Sequence, residues 1–341
     1  MPQNKPTEIL ITEPFPDELL NSLREVSPHL DITIQAVSNT DEISDVVWEK
    51  VEILYTRYIL PTAEQAPNLR WIQFHYAGVD HVLDNPILNK PDLIATSLSG
   101  AAAPQVAEHV LTMMLALGHH LTEILELQHQ KTWSHKKWLK YPPQELGFST
   151  VGILGYGSIG RRIAQLLHTF GATVLATKRD AMHPEYKGYI DEDFGDFTGE
   201  LAHRLYPPQA TRTMLRECDY VIVTVPLTQE TSNMIGAQEF EAMKPNALLV
   251  DISRGGVINL NALIIALKEK KIAGAALDVF PEEPLPEDHP LWKIPNVIIT
   301  PHIAGYSALY IERAVKLFSK NLELYLTNRP LYNVIDVQKG Y

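Results

Sequence analysis

Short apolar runs alternate along the chain with stretches whose apolar residues recur at helical spacing. In the N-terminal third the runs Ile9-Leu10-Ile11, Ile53-Leu54-Tyr55, Trp71-Ile72-Gln73-Phe74 and Leu93-Ile94-Ala95 read as buried parallel strands, separated by amphipathic stretches such as 17–26. From 104 to about 127 the pattern predicts one long helix, with Pro104 suited to its first turn. The polar, aromatic, proline-broken stretch 129–147 predicts an extended excursion. It is either a surface loop or a subunit-contact arm that covers Trp133 and Trp138. A second alternating series predicts strands at 150–155, 173–177, 220–225, 248–252, 275–279 and 297–300, with helices at 158–170 and 260–270. The segment 180–216, charged and bearing tyrosines and prolines, breaks this rhythm and reads as a solvent-exposed insertion. The closing helical pattern, 308–326, has to pack somewhere. The first α/β domain is the expected place, which makes that domain discontinuous.

Composition narrows the classes. The 341 residues exceed one ordinary core, and 45% apolar with 21% charged residues is the balance of a soluble globular chain. The net charge of −12 argues against nucleic acid or an anionic membrane surface as partner. A small anionic substrate in a locally basic pocket stays compatible with it. The single cysteine, Cys218, allows no intramolecular disulfide and reads as a small core residue of a reducing compartment. The start MPQNKPTEIL has no basic stretch leading into an apolar one, and the most apolar helical stretch, 106–117, holds Glu108 and His109. The expectation is a cytoplasmic protein with no membrane partner, and no metal site is expected.

The strongest local signal is Gly155-Tyr156-Gly157-Ser158-Ile159-Gly160, placed directly after the apolar strand Val151-Gly152-Ile153-Leu154 and opening a helix. In that context Gly155 allows the tight turn, Gly157 lets a pyrophosphate approach the backbone, and Gly160 permits close helix–strand packing. The exposed amides running through Ser158 and Ile159, with the helix dipole, attract phosphates. The next strand, ending at Thr177, should finish beside the adenosine ribose, where an NAD enzyme typically carries an acidic residue. Here stand Lys178 and Arg179, two cations suited to a 2′-phosphate, with Asp180 one step later. NADP is therefore favoured, and Asp180 keeps NAD open.

Three further motifs follow apolar strands: Ile252-Ser253-Arg254-Gly255-Gly256, Leu277-Asp278-Val279-Phe280 running into Glu282-Glu283-Pro284, and Thr300-Pro301-His302-Ile303-Ala304-Gly305. Open α/β sheets bind ligands at the carboxyl ends of their strands, so an arginine, a carboxylate and a histidine can converge on one crevice. With these pieces in place the chain resembles the D-isomer-specific 2-hydroxyacid dehydrogenases, the family of phosphoglycerate, glyoxylate and hydroxypyruvate reductases. The resemblance spans nearly the whole chain. It is carried by AGVDHV (77–82), QVAEHVL (105–111), VGILGYGSIGRRIA (151–164), PLTQET (226–231), DISRGG (251–256), ALDVFPEEPLP (276–286) and TPHIAG (300–305).

The resemblance implies a division of roles. Arg254 would bind the substrate carboxylate and polarise the carbonyl. His302 would be the acid in reduction and the base in oxidation, and Glu283 its partner, with Glu282 the rival. Asp278 would hold the nicotinamide carboxamide; Val225, Pro226 and Leu227 would line the cofactor, with Ser253 beside it. The amides of Ala77, Gly78 and Val79 would take the substrate carboxylate from the first domain. Arg57 is a further candidate for substrate contact, and Phe74, His75 and Tyr76 stay undecided as pocket residues. The chain departs from the family pattern at Lys178-Arg179, in the length of 180–216, and at Ser97-Leu98-Ser99-Gly100-Ala101.

The fold implied is α/β with two doubly wound parallel-sheet domains. A Rossmann cofactor domain, 103–303, is inserted in a flavodoxin-like substrate domain, 1–102 plus 304–341. The function implied is interconversion of a small 2-oxo acid and a D-2-hydroxy acid with NADP or NAD, in a homodimer joined through 104–146. Two alternatives share the architecture. One is a corepressor-like dinucleotide sensor without turnover, against which Arg254, Glu283 and His302 stand. The other is a formate dehydrogenase, which a glutamine at position 283 would have favoured.

Overall fold

The computed structural model describes residues 6–191 and 194–340, the side chains of Lys137 and Trp138 excepted. The chain forms two compact units. One comprises the chain up to Ala102 together with everything from Ser307 on; the other is Ala103–Tyr306.

The first unit is built on a five-stranded parallel sheet of β1 (Thr7–Ile11), β2 (Leu30–Ile34), β3 (Ile53–Thr56), β4 (Trp71–Phe74) and β5 (Ile94–Thr96), in the order β2-β1-β3-β4-β5. That is the doubly wound order of flavodoxin-like sheets. The central strands β3 and β4 are wholly buried, as their apolar runs require. β2 was not anticipated. Its sequence, LDITI, puts polar residues at alternate positions because it lies at the sheet edge and is only half covered. One face packs Leu10, Leu54 and Ile72 against Trp48 and Val51. On another side Phe318 meets the rings of Tyr55 and Trp71, at 5.0 and 5.4 Å. Phe318 belongs to the closing helix, Tyr310–Leu326, which buries Ala314, Val315, Leu317, Phe318, Asn321 and Leu322, one stripe at helical spacing. Asn321 is fully buried and satisfied: its amide donates to Gln73 and to the Tyr332 carbonyl, and its carbonyl accepts from Tyr332 N–H.

The second unit carries a seven-stranded parallel sheet: β6 (Thr150–Leu154), β7 (Thr173–Thr177), β8 (Arg204–Tyr206), β9 (Tyr220–Val223), β10 (Leu248–Asp251), β11 (Gly274–Leu277) and β12 (Val297–Ile299). Their order is β12-β11-β10-β9-β6-β7-β8, so the connection reverses direction between β6 and β9. That reversal point is where doubly wound sheets bind dinucleotides. Cys218 is buried in this core, its thiol on the Met214 carbonyl, and burial pushes the thiol up to about 12.

Three expectations are corrected here. The sheet has a seventh strand, β8, inside the segment read as a solvent-exposed insertion. Tyr189, Ile190, Asp196, Tyr206, Met214 and Leu215 of that segment are buried. A three-residue edge strand followed by Pro207-Pro208 gives no usable alternation in the sequence. The long helix predicted over 104–127 is two, Ala103–Gly118 and Leu121–His129, meeting at 64°, with His120 left-handed at φ 54° between them. A Cβ on Gly118 would lie 2.2 Å from the Tyr220 hydroxyl, so the first helix ends pressed on β9. None of the residues of the second helix is buried, so no core contact holds the two in line. Within 129–147, expected to be extended, Lys137–Lys140 is helical. Trp133 is 77% exposed, and the side chain of Trp138 lies outside the described residues. Among the described residues no single helix is long and apolar enough to cross a membrane.

Candidate active site at the strand ends of the second unit

β6 delivers the chain into the glycine loop. Gly155 has φ +102°, a conformation in which glycine is unstrained. Its N–H donates to Thr177 Oγ1, and its carbonyl accepts from Thr224 Oγ1 at 2.8 Å, so the ends of β7 and β9 clamp the turn. A Cβ on Gly160 would lie 2.3 Å from the Gly155 carbonyl oxygen. Helix and strand therefore meet there without a side chain. Gly157 differs. Its φ is an ordinary −88°, and a Cβ built on it meets nothing within 4 Å. Neither backbone strain nor packing demands glycine at this point, and the space beside it is open. The helix Ser158–Thr169 then begins without a side-chain cap, with Ser158 buried and Ile159 half-buried. Val225 and Pro226 follow β9 beside the loop; Val225 Cγ1 would sit 3.0 Å from a Cβ on Gly155.

At the end of β7, Lys178 turns its ammonium onto the carbonyl oxygens of Asp180, at 3.1 Å, and His183. Burial holds its pKa below the usual lysine range, and Arg161 adds to this. Arg179 beside it is exposed. Asp180 binds His183 Nδ1 at 2.7 Å, and that hydrogen bond holds the carboxyl below its usual range.

The three strand-end motifs interlock. Asp251, the last residue of β10, is buried, and its Oδ1 accepts from Ser253 N–H at 3.0 Å and Ser253 Oγ at 2.6 Å. Burial pushes its carboxyl up to about 7, against the lowering pull of Ser253. Arg254 is half-buried and donates to the Ser253 carbonyl at 3.0 Å. A Cβ on Gly255 would fall 2.0 Å from the Phe280 carbonyl oxygen, so glycine brings the turn after β10 against the turn after β11.

Asp278, 2% exposed after β11, is the anchor of the histidine turn. Its Oδ1 accepts from Thr300 Oγ1 at 2.5 Å and Ile303 N–H at 2.9 Å, and its Oδ2 from Ala304 N–H at 2.9 Å. His109 Nε2, from the helix Ala103–Gly118, is 3.4 Å from Thr300 Oγ1 and 3.9 Å from Asp278. Burial holds His109 below the usual histidine range despite the aspartate. His302 itself takes a left-handed φ of 52°, costly for a non-glycine residue and secured by the Asp278 bonds on the amides that follow it.

His302 Nδ1 lies 2.8 Å from Glu283 Oε2, and Glu283 Oε1 accepts from Phe280 N–H at 2.9 Å. A carboxylate only accepts, so Nδ1 carries the proton and Nε2 is left to trade one. The ring is 44% exposed. Glu283, rather than its exposed neighbour Glu282, makes the pair. An arrangement of this kind can pass a proton to and from an oxygen while a neighbouring cation holds an anionic reactant.

The first unit has its own strand-end cluster. Beyond β4, none of the described residues accepts from the amides of Ala77, Gly78 or Val79, while the Val79 side chain is buried. Arg57, just past β3, binds Glu13 Oε2 through Nε at 2.7 Å and lies 5.5 Å from the Tyr76 ring centroid. Burial raises the Glu13 carboxyl and Arg57 counters it. His75 is buried with Nδ1 on the Tyr55 hydroxyl, and burial takes its pKa down to about 3, so the ring is neutral. Of the three residues left undecided from sequence, Phe74 and His75 are buried and Tyr76 alone is exposed. Glu13, Asp251 and His109 were missed. Glu13 and Asp251 stand at strand carboxyl ends, the position that pointed to Arg254, and the same rule would have found them.

Comparison with known proteins gives a consistent picture. A model of the D-isomer specific 2-hydroxyacid dehydrogenase NAD-binding domain matches residues 111–304. A glyoxylate reductase of Thermococcus litoralis is 32% identical over 300 residues, covering 87% of this chain and 83% of that one. A D-isomer specific 2-hydroxyacid dehydrogenase of Xanthobacter autotrophicus Py2, solved with NADPH and MES, is 26% identical with a TM-score of 0.78, covering 98% of this chain and 100% of the other. A D-lactate dehydrogenase of Aquifex aeolicus, solved with NAD and lactic acid, is 25% identical with a TM-score of 0.67, covering 94% and 96%.

Proposed function

Because the chain belongs to the D-isomer specific 2-hydroxyacid dehydrogenase family, an NAD(P)-dependent group of oxidoreductases, we propose that it reduces a small 2-oxo acid to the D-2-hydroxy acid. The observation that carries this reading is the Glu283–His302 pair at 2.8 Å, fixed by Asp278 on the same strand-end edge as Arg254 and the glycine loop.

The residues fit a nicotinamide dinucleotide, since Gly157 leaves open the space its pyrophosphate needs. Gly155, Gly157, Ser158, Ile159 and Gly160 would hold the phosphates, Lys178 and Arg179 the adenosine ribose end, Val225, Pro226 and Ser253 the middle, and Asp278 the carboxamide. When bound, the dinucleotide supplies or accepts the hydride. The chain's own groups do the rest. Arg254 binds the carboxylate with its planar fork and draws charge toward the carbonyl oxygen. His302 Nε2 protonates that oxygen, and Glu283 orients the ring through Nδ1. In the first unit the amides of Ala77, Gly78 and Val79 are donors for the carboxylate, and Arg57 is a second cation for the substrate. The substrate role is assigned to 1–102 plus 304–341, the dinucleotide role to 103–303, and dimerisation to the 104–146 arm.

Two expected outcomes follow from the dinucleotide site. With glyoxylate or hydroxypyruvate as substrate, initial rates at equal, subsaturating cofactor are higher with NADPH than with NADH, because Lys178 and Arg179 offer two cations and Asp180 is held by His183. Faster turnover with NADH would overturn the NADP preference. Gly157→Ala and Gly160→Ala separate binding from folding. Gly160→Ala costs about 1–3 kcal/mol of stability in chemical denaturation, because its Cβ would strike the Gly155 carbonyl. Gly157→Ala leaves stability unchanged and weakens dinucleotide binding by roughly tenfold or more in calorimetric titration. Unimpaired binding by Gly157→Ala would mean that the open space is not the pyrophosphate site.

A further inference from the structure

The residue between the first two glycines of the loop, Tyr156, is buried, although loops of this kind face a ligand. Its hydroxyl donates to Asp196 Oδ2 at 2.7 Å, across the interval that the sequence reads as an insertion. Asp196 is buried and saturated with donors. Its Oδ1 accepts from Gly199 N–H at 2.9 Å and Glu200 N–H at 3.0 Å, and its Oδ2 also accepts from Leu201 N–H at 3.1 Å. One carboxylate therefore closes a turn of the segment and fastens that turn to the glycine loop.

A cation completes the joint. Arg161, in the second turn of the helix that the glycine loop opens, is fully buried. Its guanidinium donates to the carbonyl oxygens of Asp196 and Pro184 and stands 4.0 Å from Asp196 Oδ2. It also lies 4.6 Å from the Tyr156 ring centroid and 5.2 Å from that of Tyr186. A buried arginine without such partners would be strongly destabilising. Here both carbonyls and one of the two flanking rings, that of Tyr186, come from 184–196. The same segment donates Gly195 N–H to Gln165 of the helix, and its root is the pair of carbonyls that Lys178 binds.

We propose that residues 180–191 and 194–201 form a fixed rim of the adenosine end of the dinucleotide site, latched to the glycine loop by Tyr156, Asp196 and Arg161, with Asp196 as a positioning residue for the cofactor. The latch fixes two things at once: the path of the backbone between Gly155 and Gly157, and the place of Lys178, Arg179 and His183 at the end of β7. None of the three latch residues needs to touch the substrate. Loosening the joint therefore lowers dinucleotide affinity and leaves the proton-transfer machinery alone. The inference rests on the dinucleotide reading above.

The test is calorimetric titration of Tyr156→Phe and Asp196→Asn with NADPH and with NADH, alongside kcat at saturating cofactor. Tyr156→Phe keeps the ring over Arg161 and removes only the hydroxyl, so it is the variant least disturbing to the fold; Asp196→Asn also weakens the turn. The expected result is a rise of Kd of about tenfold for Asp196→Asn, and a smaller rise for Tyr156→Phe. KM for the cofactor follows Kd, and kcat stays within about twofold of the parent. Unchanged Kd for both dinucleotides in folded Tyr156→Phe and Asp196→Asn overturns the latch, as does a fall in kcat with Kd unmoved. If Asp196→Asn does not fold, Tyr156→Phe decides alone. A parent protein that binds neither dinucleotide would instead contradict the cofactor reading.

Discussion

Replacing His302 with glutamine is expected to lower kcat by roughly 10²–10⁴-fold, with dinucleotide affinity unchanged. Glutamine keeps a polar side chain near Glu283 but cannot take up and release a proton near neutral pH. The structure explains why the loss should fall on the chemical step. The turn carrying His302 is held at its backbone by Asp278 through the amides of Ile303 and Ala304, and these bonds do not involve the imidazole. The substitution therefore removes the ring and leaves the turn. Glu283→Gln should do less harm. It keeps a hydrogen-bond acceptor for Nδ1 but replaces the carboxylate that faces it with a neutral amide. Single-turnover and steady-state rates on both variants check this order; a His302→Gln protein with kcat within a few-fold of the parent would remove His302 from the chemistry.

Arg254→Gln is the second large effect. The expected fall in kcat/KM is roughly 10³-fold, since the substitution removes a charge-assisted forked contact to the carboxylate and the polarisation of the carbonyl together. Gly255 packs its backbone on the Phe280 carbonyl irrespective of the arginine side chain, so the turn itself should persist. Arg254→Lys should recover only part of the loss, because an ammonium is a point charge without the planar fork. Steady-state kinetics with calorimetric titration of the dinucleotide separate the effects: kcat/KM falls and the cofactor Kd holds. A loss of less than about tenfold in Arg254→Gln would place the substrate carboxylate elsewhere.

Much of the second unit could be read from the chain because its central strands are buried on both faces and so appear as unbroken apolar runs. β6, β9 and β10 are of this kind. The edge strands β2 and β8 escaped because half-covered strands mix polar and apolar residues. The break at His120 has no proline to announce it; it is set by the approach of Gly118 to Tyr220, a contact made across the fold.

The site divides in the same way. Gly155, Arg254, Glu283 and His302 each stand in a short motif past an apolar strand, so their grouping follows from topology. What the motifs do not convey is how they are held. The bonds from Asp278 to the 300–304 turn and the joint between Tyr156 and Asp196 join residues whose pairing no local spacing reveals. Arg161 shows the limit most plainly. In the sequence IGRRIA it looks like the exposed face of an amphipathic helix, yet it is fully buried because a distant segment supplies its carbonyls and one of its rings.

Reduction of a 2-oxo acid to its D-2-hydroxy acid is tested most directly by chiral analysis of the product formed from pyruvate, phenylpyruvate and hydroxypyruvate by the parent protein with reduced dinucleotide. The predicted result is a single D-configured hydroxy acid from at least one of them, formed in step with oxidation of the dinucleotide. Tight dinucleotide binding with no product from any of the three, or formation of the L-product, would contradict it.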